Sequence, residues 1–234
     1  MEKIATREAY GKALAELGET YDFVVLDADL AAATKTSIFK KKFPERFFDC
    51  GIAEGNMASV AAGLAAAGQI PFISSFAMFT AGRAYEQVRN SIAYPHLNVK
   101  IVGTHAGITV GEDGATHQCN EDLALMRSIP GMVVINPSDA TESRAAVEAA
   151  LKYEGPVYLR FSRFATPDLT SEVPGFTYEI GKGVTLAEGK DVTIVACGYM
   201  VHLAMEAKDI LAAEGINATV IRSEERRIGK ECAP

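Results

Sequence analysis

Unbroken apolar runs alternate with helical patterns along most of this chain. Runs at Phe23 to Asp29, Phe47 to Gly51, Pro71 to Phe76, Val99 to His105, Met132 to Pro137 and Pro156 to Phe161 are bounded by turn residues. Helical patterns cover Thr6 to Leu17, Glu54 to Ala67, Thr80 to Tyr94 and Ala140 to Lys152. Strands buried on both faces carry continuous apolar runs. The order therefore predicts an α/β fold, a mainly parallel sheet with helices on both faces. Ligands in such sheets sit beyond the carboxyl ends of the strands. Asp29, Glu54, Phe76 to Phe79 and His105 to His117 all follow predicted strand ends and are expected to share one sheet edge.

The pattern changes near residue 165. Ala165 to Thr177 holds two prolines, Gly175 and several polar residues without periodicity, and reads as a linker. Asp191 to Cys197 then predicts a strand, Val201 to Glu214 a helix and Ala218 to Ile221 another strand. The expected organisation is a first domain over 1–165, a linker over 166–180 and a partial second α/β domain over 181–222. About 45 residues make a poor independent core. Residues 223–234 abruptly follow an apolar strand with charge, and Arg222 to Cys232 resembles a translated sequencing-adapter read. We expect a native chain cut near Ile221 and a non-native tail after it, with a genuine charged terminus as the alternative.

Composition narrows the function classes. The 234 residues are 48% hydrophobic and 23% charged, enough for a packed core. A net charge of -7 argues against nucleic acid or a membrane surface as partner. The start Met1-Glu2-Lys3-Ile4 lacks a signal-peptide apolar region, and no run is long enough to span a bilayer. Cys50, Cys119, Cys197 and Cys232 are scattered without metal-ligand or CxxC spacing. No metal site of the chain's own is expected, and a cytoplasmic thiol state fits best.

Three clusters carry candidate chemistry. In Gly51-Ile-Ala-Glu-Gly-Asn-Met-Ala-Ser-Val60, Glu54 lies between an apolar strand and an Ala/Gly-rich helix. Desolvation there favours a protonated carboxyl that can donate a hydrogen bond to a ring nitrogen. The competing reading is a helix N-terminal Glu serving the macrodipole. The segment Thr104-His-Ala-Gly-Ile-Thr-Val-Gly-Glu-Asp-Gly-Ala-Thr-His-Gln118 is a long loop holding two of the four histidines. Histidine suits proton transfer to sugar hydroxyls, and long loops of this composition are usually functional. The spacing of His105, Asp113 and His117 matches no standard zinc pattern, and a purely structural loop stays open. In Ser74-Ser-Phe-Ala-Met-Phe-Thr-Ala-Gly-Arg-Ala-Tyr-Glu-Gln-Val-Arg89, Phe76 and Phe79 fall where a strand becomes a helix. They are either core residues or the floor of a pocket for a flat heterocycle.

Taken together, the clusters resemble the central portion of transketolase. The resemblance rests on Asp27-Ala-Asp-Leu30, Gly51-Ile-Ala-Glu-Gly-Asn-Met57, Ser75-Phe-Ala-Met-Phe79, Gly111-Glu-Asp-Gly-Ala-Thr-His-Gln118 and Leu159-Arg-Phe-Ser-Arg163. It covers about Lys3 to Pro167, and beyond Gly181 it continues into the start of the family's third domain. The resemblance implies the pyrimidine-binding domain of a thiamine diphosphate enzyme. Glu54 would hydrogen-bond the pyrimidine N1′ and promote the imino tautomer that removes the thiazolium C2 proton. Phe79, with Phe76 beside it, would pack on the pyrimidine, and Asp29 would contact the cofactor. Asp113 would recognise a donor-sugar hydroxyl, and His117 would act on substrate hydroxyls in recognition or proton transfer. His105 matches a histidine on the substrate-phosphate side. Arg7 and Arg163 match phosphate-binding arginines, although Arg7 also reads as a solvated helix residue. Ala31-Ala-Ala33 departs from the hydroxyl and proline residues of many relatives, and Gly82 replaces an aromatic that some place near the pyrimidine.

The family's Gly-Asp-Gly motif and its following asparagine, which hold Mg²⁺ and the diphosphate, do not occur in this sequence. With a start at Met1 just before Thr6-Arg7, this implies the C-terminal subunit of a split transketolase. An N-terminal subunit would supply the diphosphate-binding domain and hold Mg²⁺. Self-association through the pyrimidine domain would give an α₂β₂ heterotetramer acting on sugar phosphates, by default those of the pentose phosphate pathway. The rivals are the β subunit of a 2-oxo acid dehydrogenase, a deoxyxylulose-phosphate synthase fragment, and a non-catalytic interaction subunit that keeps only the fold.

Overall fold

The computed structural model describes residues 3–223. The expected non-native tail, apart from Ser223, lies outside the described residues. The chain starts with β1 (Lys3–Ala5) and α1 (Thr6–Leu17), followed by β2 (Val24–Asp27) and two short helices, α2 (Ala31–Thr34) and α3 (Ser37–Lys42). Then come β3 (Phe47–Asp49), α4 (Glu54–Ala66) and β4 (Pro71–Phe76). The single helix expected over Thr80 to Tyr94 is instead three pieces. Two π-helical segments, Met78–Arg83 and Val88–Ala93, flank the single turn α5 (Tyr85–Gln87). β5 (Lys100–Thr104), α6 (Asp122–Arg127), β6 (Val133–Ile135), α7 (Ala140–Lys152) and β7 (Val157–Arg160) complete the first unit.

Six of these strands form one sheet in the order β3-β2-β4-β5-β7-β6, and every neighbouring pair is parallel. Successive side chains on a strand face opposite sides. Leu26, Ile73, Ile101 and Val134 therefore pack with Met57, Ala61, Val88 and Met126 on one face. Val25, Phe72, Val102 and Ile135 pack with Tyr10, Leu14, Phe39 and Val147 on the other. Both faces are covered, which is why the strands read as unbroken apolar runs. α7 begins at an effective cap: Asp139 accepts from Glu142 N at 2.9 Å, and its carboxylate also accepts from Thr170 N and Oγ1.

The chain moves outward from β2 to β3, then returns past β2 to β4. Loops leaving the carboxyl ends of β2 and β4 consequently diverge and open a crevice between them. This is the switch point at which open α/β sheets bind ligands.

The expected linker is partly ordered. β8 (Ala165–Pro167) pairs antiparallel with β1, and Thr170–Glu172 form a 3₁₀ turn. The second unit holds the predicted βαβ elements, β10 (Val192–Ala196), α8 (Met200–Ala213) and β11 (Ala218–Arg222), with β10 parallel to β11. A strand absent from the sequence reading, β9 (Val184–Ala187), joins the other side of β11 antiparallel and makes the sheet mixed. Among the described residues no helix is long and apolar enough to cross a membrane. Cys50, Cys119 and Cys197 form no disulfide.

At the first residue of α6, Asp122 is fully buried and accepts from Arg160 Nε at 2.8 Å and from the Tyr158 hydroxyl at 2.9 Å. This pair ties the far end of the long loop to β7. Removing one partner leaves a buried charge uncompensated, so Asp122→Ala should destabilise the chain by about 3–5 kcal/mol. A urea-unfolding midpoint unchanged from wild type would show that the pair holds nothing in place.

Candidate active site

Glu54 is the first residue of α4 and is 1% exposed. The burial agrees with the sequence expectation, but the surroundings are not wholly apolar. Arg83 Nη1 lies 2.9 Å from Glu54 Oε2, and the same guanidinium sits over the Phe79 ring, 4.6 Å from its centroid. The Arg83 side chain is 53% exposed, so a half-solvated cation meets a buried anion. Phe79 lies nearly parallel to Phe76 at 5.9 Å, and His117 presents its edge to Phe79 at 5.2 Å. Asp29, Glu54, Phe79, Arg83 and His117 line one cavity of about 370 Å³. It lies beyond the carboxyl ends of β2 and β4, at the switch point.

The turn after β2 explains how Asp29 reaches this cavity. Asp27 is fully buried, accepts from Leu30 N at 2.7 Å, and takes the hydroxyls of Thr34 and Thr36. Burial pushes its carboxyl up, against the pull of those hydrogen bonds. The tight turn leaves Asp29 at φ 60, a conformation that costs a non-glycine residue energy. Asp49 Oδ1, at the end of β3, steadies it by accepting from Asp29 N at 3.2 Å.

A second cluster adjoins the first. Arg7 Nη1 donates to Ala33 O at 2.7 Å and lies 2.9 Å from His105 Nε2. A guanidinium only donates, so His105 Nε2 accepts and its proton resides on Nδ1. That Nδ1–H faces Thr104 Oγ1 at 2.9 Å. Burial first, then the charges of Arg7, Arg163 and Lys35, push His105 down to about 3. Burial and the neighbouring Arg163 also lower Arg7. Arg7 thus belongs to a partly buried cationic group and is not a solvated helix residue. The Arg163 guanidinium packs on Gly111, where a Cβ would come within 2.1 Å of Nη1 and where φ is 93. Any side chain at Gly111 would displace it. Phe76 links the two clusters, since its ring also lies tilted against His105 at 3.9 Å.

Of the residues singled out from sequence, Asp29, Glu54, Phe79 and His117 meet at the cavity, with Phe76 behind them. Arg7, His105 and Arg163 meet beside it. Asp113 does not join either group: it is exposed on the Gly111–Gly114 turn, closed by Gly114 N donating to Gly111 O at 3.1 Å. Arg83 was not singled out, since its place four residues beyond Phe79 carries no signal of a buried partner. A larger cavity of about 580 Å³ lies in the second unit among Val195, Met200 and Leu203, but it is apolar and far from these groups in the chain.

Residues 2–168 match the family model of the transketolase pyrimidine binding domain, and residues 181–223 match that of the transketolase C-terminal domain. The chain is 53% identical over 216 residues to a putative transketolase C-terminal section of Methanocaldococcus jannaschii, covering 92% of this chain and 68% of that protein. It is 46% identical over 216 residues to a 6-deoxy-6-sulfo-D-fructose transketolase subunit of a Clostridium species, covering 92% of this chain and 66% of that one. It thus spans about two thirds of the length of these relatives. Among solved structures, a split gene transketolase in an inactive β4 tetramer superposes with a TM-score of 0.84 at 57% identity, covering 94% of this chain and 71% of that chain. With the pyrimidine-domain match extending over most of its length, the chain belongs to the transketolase family.

Proposed function

We propose that this chain is the C-terminal subunit of a split transketolase that moves a two-carbon ketol unit between sugar phosphates, and that it acts only with an N-terminal subunit. The observation that most supports this is the convergence of Glu54, Phe79, Asp29 and His117 on one cavity at the switch point. The donor set suits an aminopyrimidine: one buried carboxyl for a ring nitrogen and an aromatic face for the ring. Thiamine diphosphate, when bound, supplies the carbanion-stabilising chemistry, while the protein binds and orients. Glu54 holds the pyrimidine N1′ through a hydrogen bond and moves a proton there. Phe79 packs on the ring, backed by Phe76, and Asp29 reaches it from the strained turn. His117 exchanges a proton with a substrate hydroxyl, its Nδ1 held 2.9 Å from Thr116 Oγ1. Asp113 takes a donor-sugar hydroxyl from the exposed turn.

Arg7, His105 and Arg163 form the end that receives a phosphate tail. The Arg7 Nε atom is buried without a hydrogen-bond partner among the described residues, so an oxygen acceptor there would satisfy it. His105 serves as a neutral acceptor that fixes Arg7. Mg²⁺ and the diphosphate are assigned to the N-terminal subunit, since the family's Gly-Asp-Gly motif does not occur in this sequence. The reading divides the chain into a pyrimidine-binding domain over 1–165, a linker over 166–180 and the start of the C-terminal domain over 181–222. Pairing through the first domain gives an α₂β₂ assembly.

Three outcomes test this. Mixing both subunits with Mg²⁺, thiamine diphosphate, xylulose 5-phosphate and ribose 5-phosphate should release triose phosphate, and neither subunit should do so alone. Ketol transfer by the single chain would sink the two-subunit reading. In the assembled pair, Glu54→Gln keeps a hydrogen-bonding group but loses the titratable proton. It should lower kcat by at least about 100-fold with the assembly intact. An unaffected kcat would favour a non-catalytic subunit.

The third outcome concerns pH. His105 is held down in the folded chain, so between 6.5 and about 3 only the unfolded chain takes its proton. This contribution to stability is complete above 6.5 and is lost as pH falls towards 3. The His105 ring resonances should not shift between about pH 8 and pH 5. Titration near the ordinary histidine value would mean that Arg7 does not hold Nε2.

A further inference from the structure

Arg83 has no part in the function proposed above, yet it makes the one ion pair of the buried Glu54 carboxylate among the described residues. Three features of the contact matter. The guanidinium is planar. It lies over Phe79, the ring assigned to the heterocycle. Its Nη1 donates to Oε2 of Glu54, the side chain assigned to the ring nitrogen. An aminopyrimidine offers the same features in the same place: a flat body, a face for Phe79 and a nitrogen for Glu54. The segment bearing both Phe79 and Arg83 is π-helical, a geometry concentrated at functional sites.

We propose, resting on the thiamine reading above, that Arg83 is a self-latch on Glu54 that the cofactor's pyrimidine must exchange. The Glu54 carboxylate is met by Arg83 or by the heterocycle, not by both. Two physical arguments favour exchange over coexistence. The Phe79 face and the Glu54 oxygen that the heterocycle would use are the ones Arg83 already occupies. The other argument is that leaving is easy: the Arg83 side chain is 53% exposed, so its guanidinium passes into water at little cost, whereas Glu54 cannot leave. The latch keeps a buried anion paired until cofactor arrives, and its breaking is charged against cofactor affinity.

The test is isothermal titration of thiamine diphosphate with Mg²⁺ into the assembled two-subunit protein, for wild type, Arg83→Met and Arg83→Lys. A half-exposed pair of this kind is worth up to about 1 kcal/mol, so Arg83→Met should bind about fivefold tighter. Arg83→Lys keeps a cation within reach of Glu54 and should stay near wild type. A structure of the loaded assembly should show the Arg83 guanidinium beyond hydrogen-bond distance of both Glu54 oxygens. Equal or weaker binding by Arg83→Met overturns the latch, because a positioning residue would be missed rather than released. An intact Glu54–Arg83 contact in the loaded assembly overturns it as well. If no variant binds the cofactor, the thiamine reading fails and takes the latch with it, an outcome distinct from equal binding.

Discussion

A carboxylate taken out of water must be met by a donor or a cation, and the site is arranged around that requirement at Glu54. The side chain is 1% exposed at the start of a helix whose preceding residue, Ala53, offers no side-chain cap. Of the helix residues beside it, Gly55, Met57 and Ala58 carry no side-chain donor, and Asn56 is exposed to water. The partner therefore comes from another element, the π-helical segment after β4. The spacing between the two elements is set by buried apolar packing, in which Met57, Ala58 and Ala61 of α4 share a cluster with Ala81 and Ala84.

Backbone strain places the remaining groups. Asp29 and His105 both adopt positive φ, at the ends of β2 and β5. Each is a non-glycine residue in a conformation that must be held by its surroundings. Asp49 holds Asp29 from the neighbouring strand, and Arg7 together with Thr104 holds His105. Asp29 lines the cavity as a result, whereas His105 is turned to Arg7 and the Phe76 ring beside it.

Apolar runs revealed the six sheet strands because both faces of that sheet are covered. β9 escaped notice because Val-Thr-Leu-Ala is short and only partly buried, so it carries neither a continuous run nor a clean alternation. The 80–94 stretch was legible as helical, since apolar positions recur on one face. Its π turns were not, because a change in hydrogen-bond register leaves that spacing almost intact. Glu54, Phe79, Asp29 and His117 were legible as a set through the strand ends they follow. Arg83 was not, because an arginine four residues beyond an aromatic is ordinary on a helix surface. Only the tertiary approach of α4 gives it a buried partner. Asp113 shows the converse: a motif can name a residue while the folded chain leaves it exposed on its turn.

The two clusters have opposite electrostatic needs and stand side by side. Glu54 forms an anionic end, while Arg7 and Arg163 form a cationic end that holds His105 neutral. Phe76 stands where the two meet. It is 5% exposed at the last position of β4, nearly parallel to Phe79 and tilted against His105. Its ring thus touches a ring of each cluster and separates their side chains. An elongated ligand with a heterocycle-bound reacting centre at one end and an anionic tail at the other would lie across this partition. The same aromatic residue then sets both the separation of the two ends and the direction in which such a ligand runs.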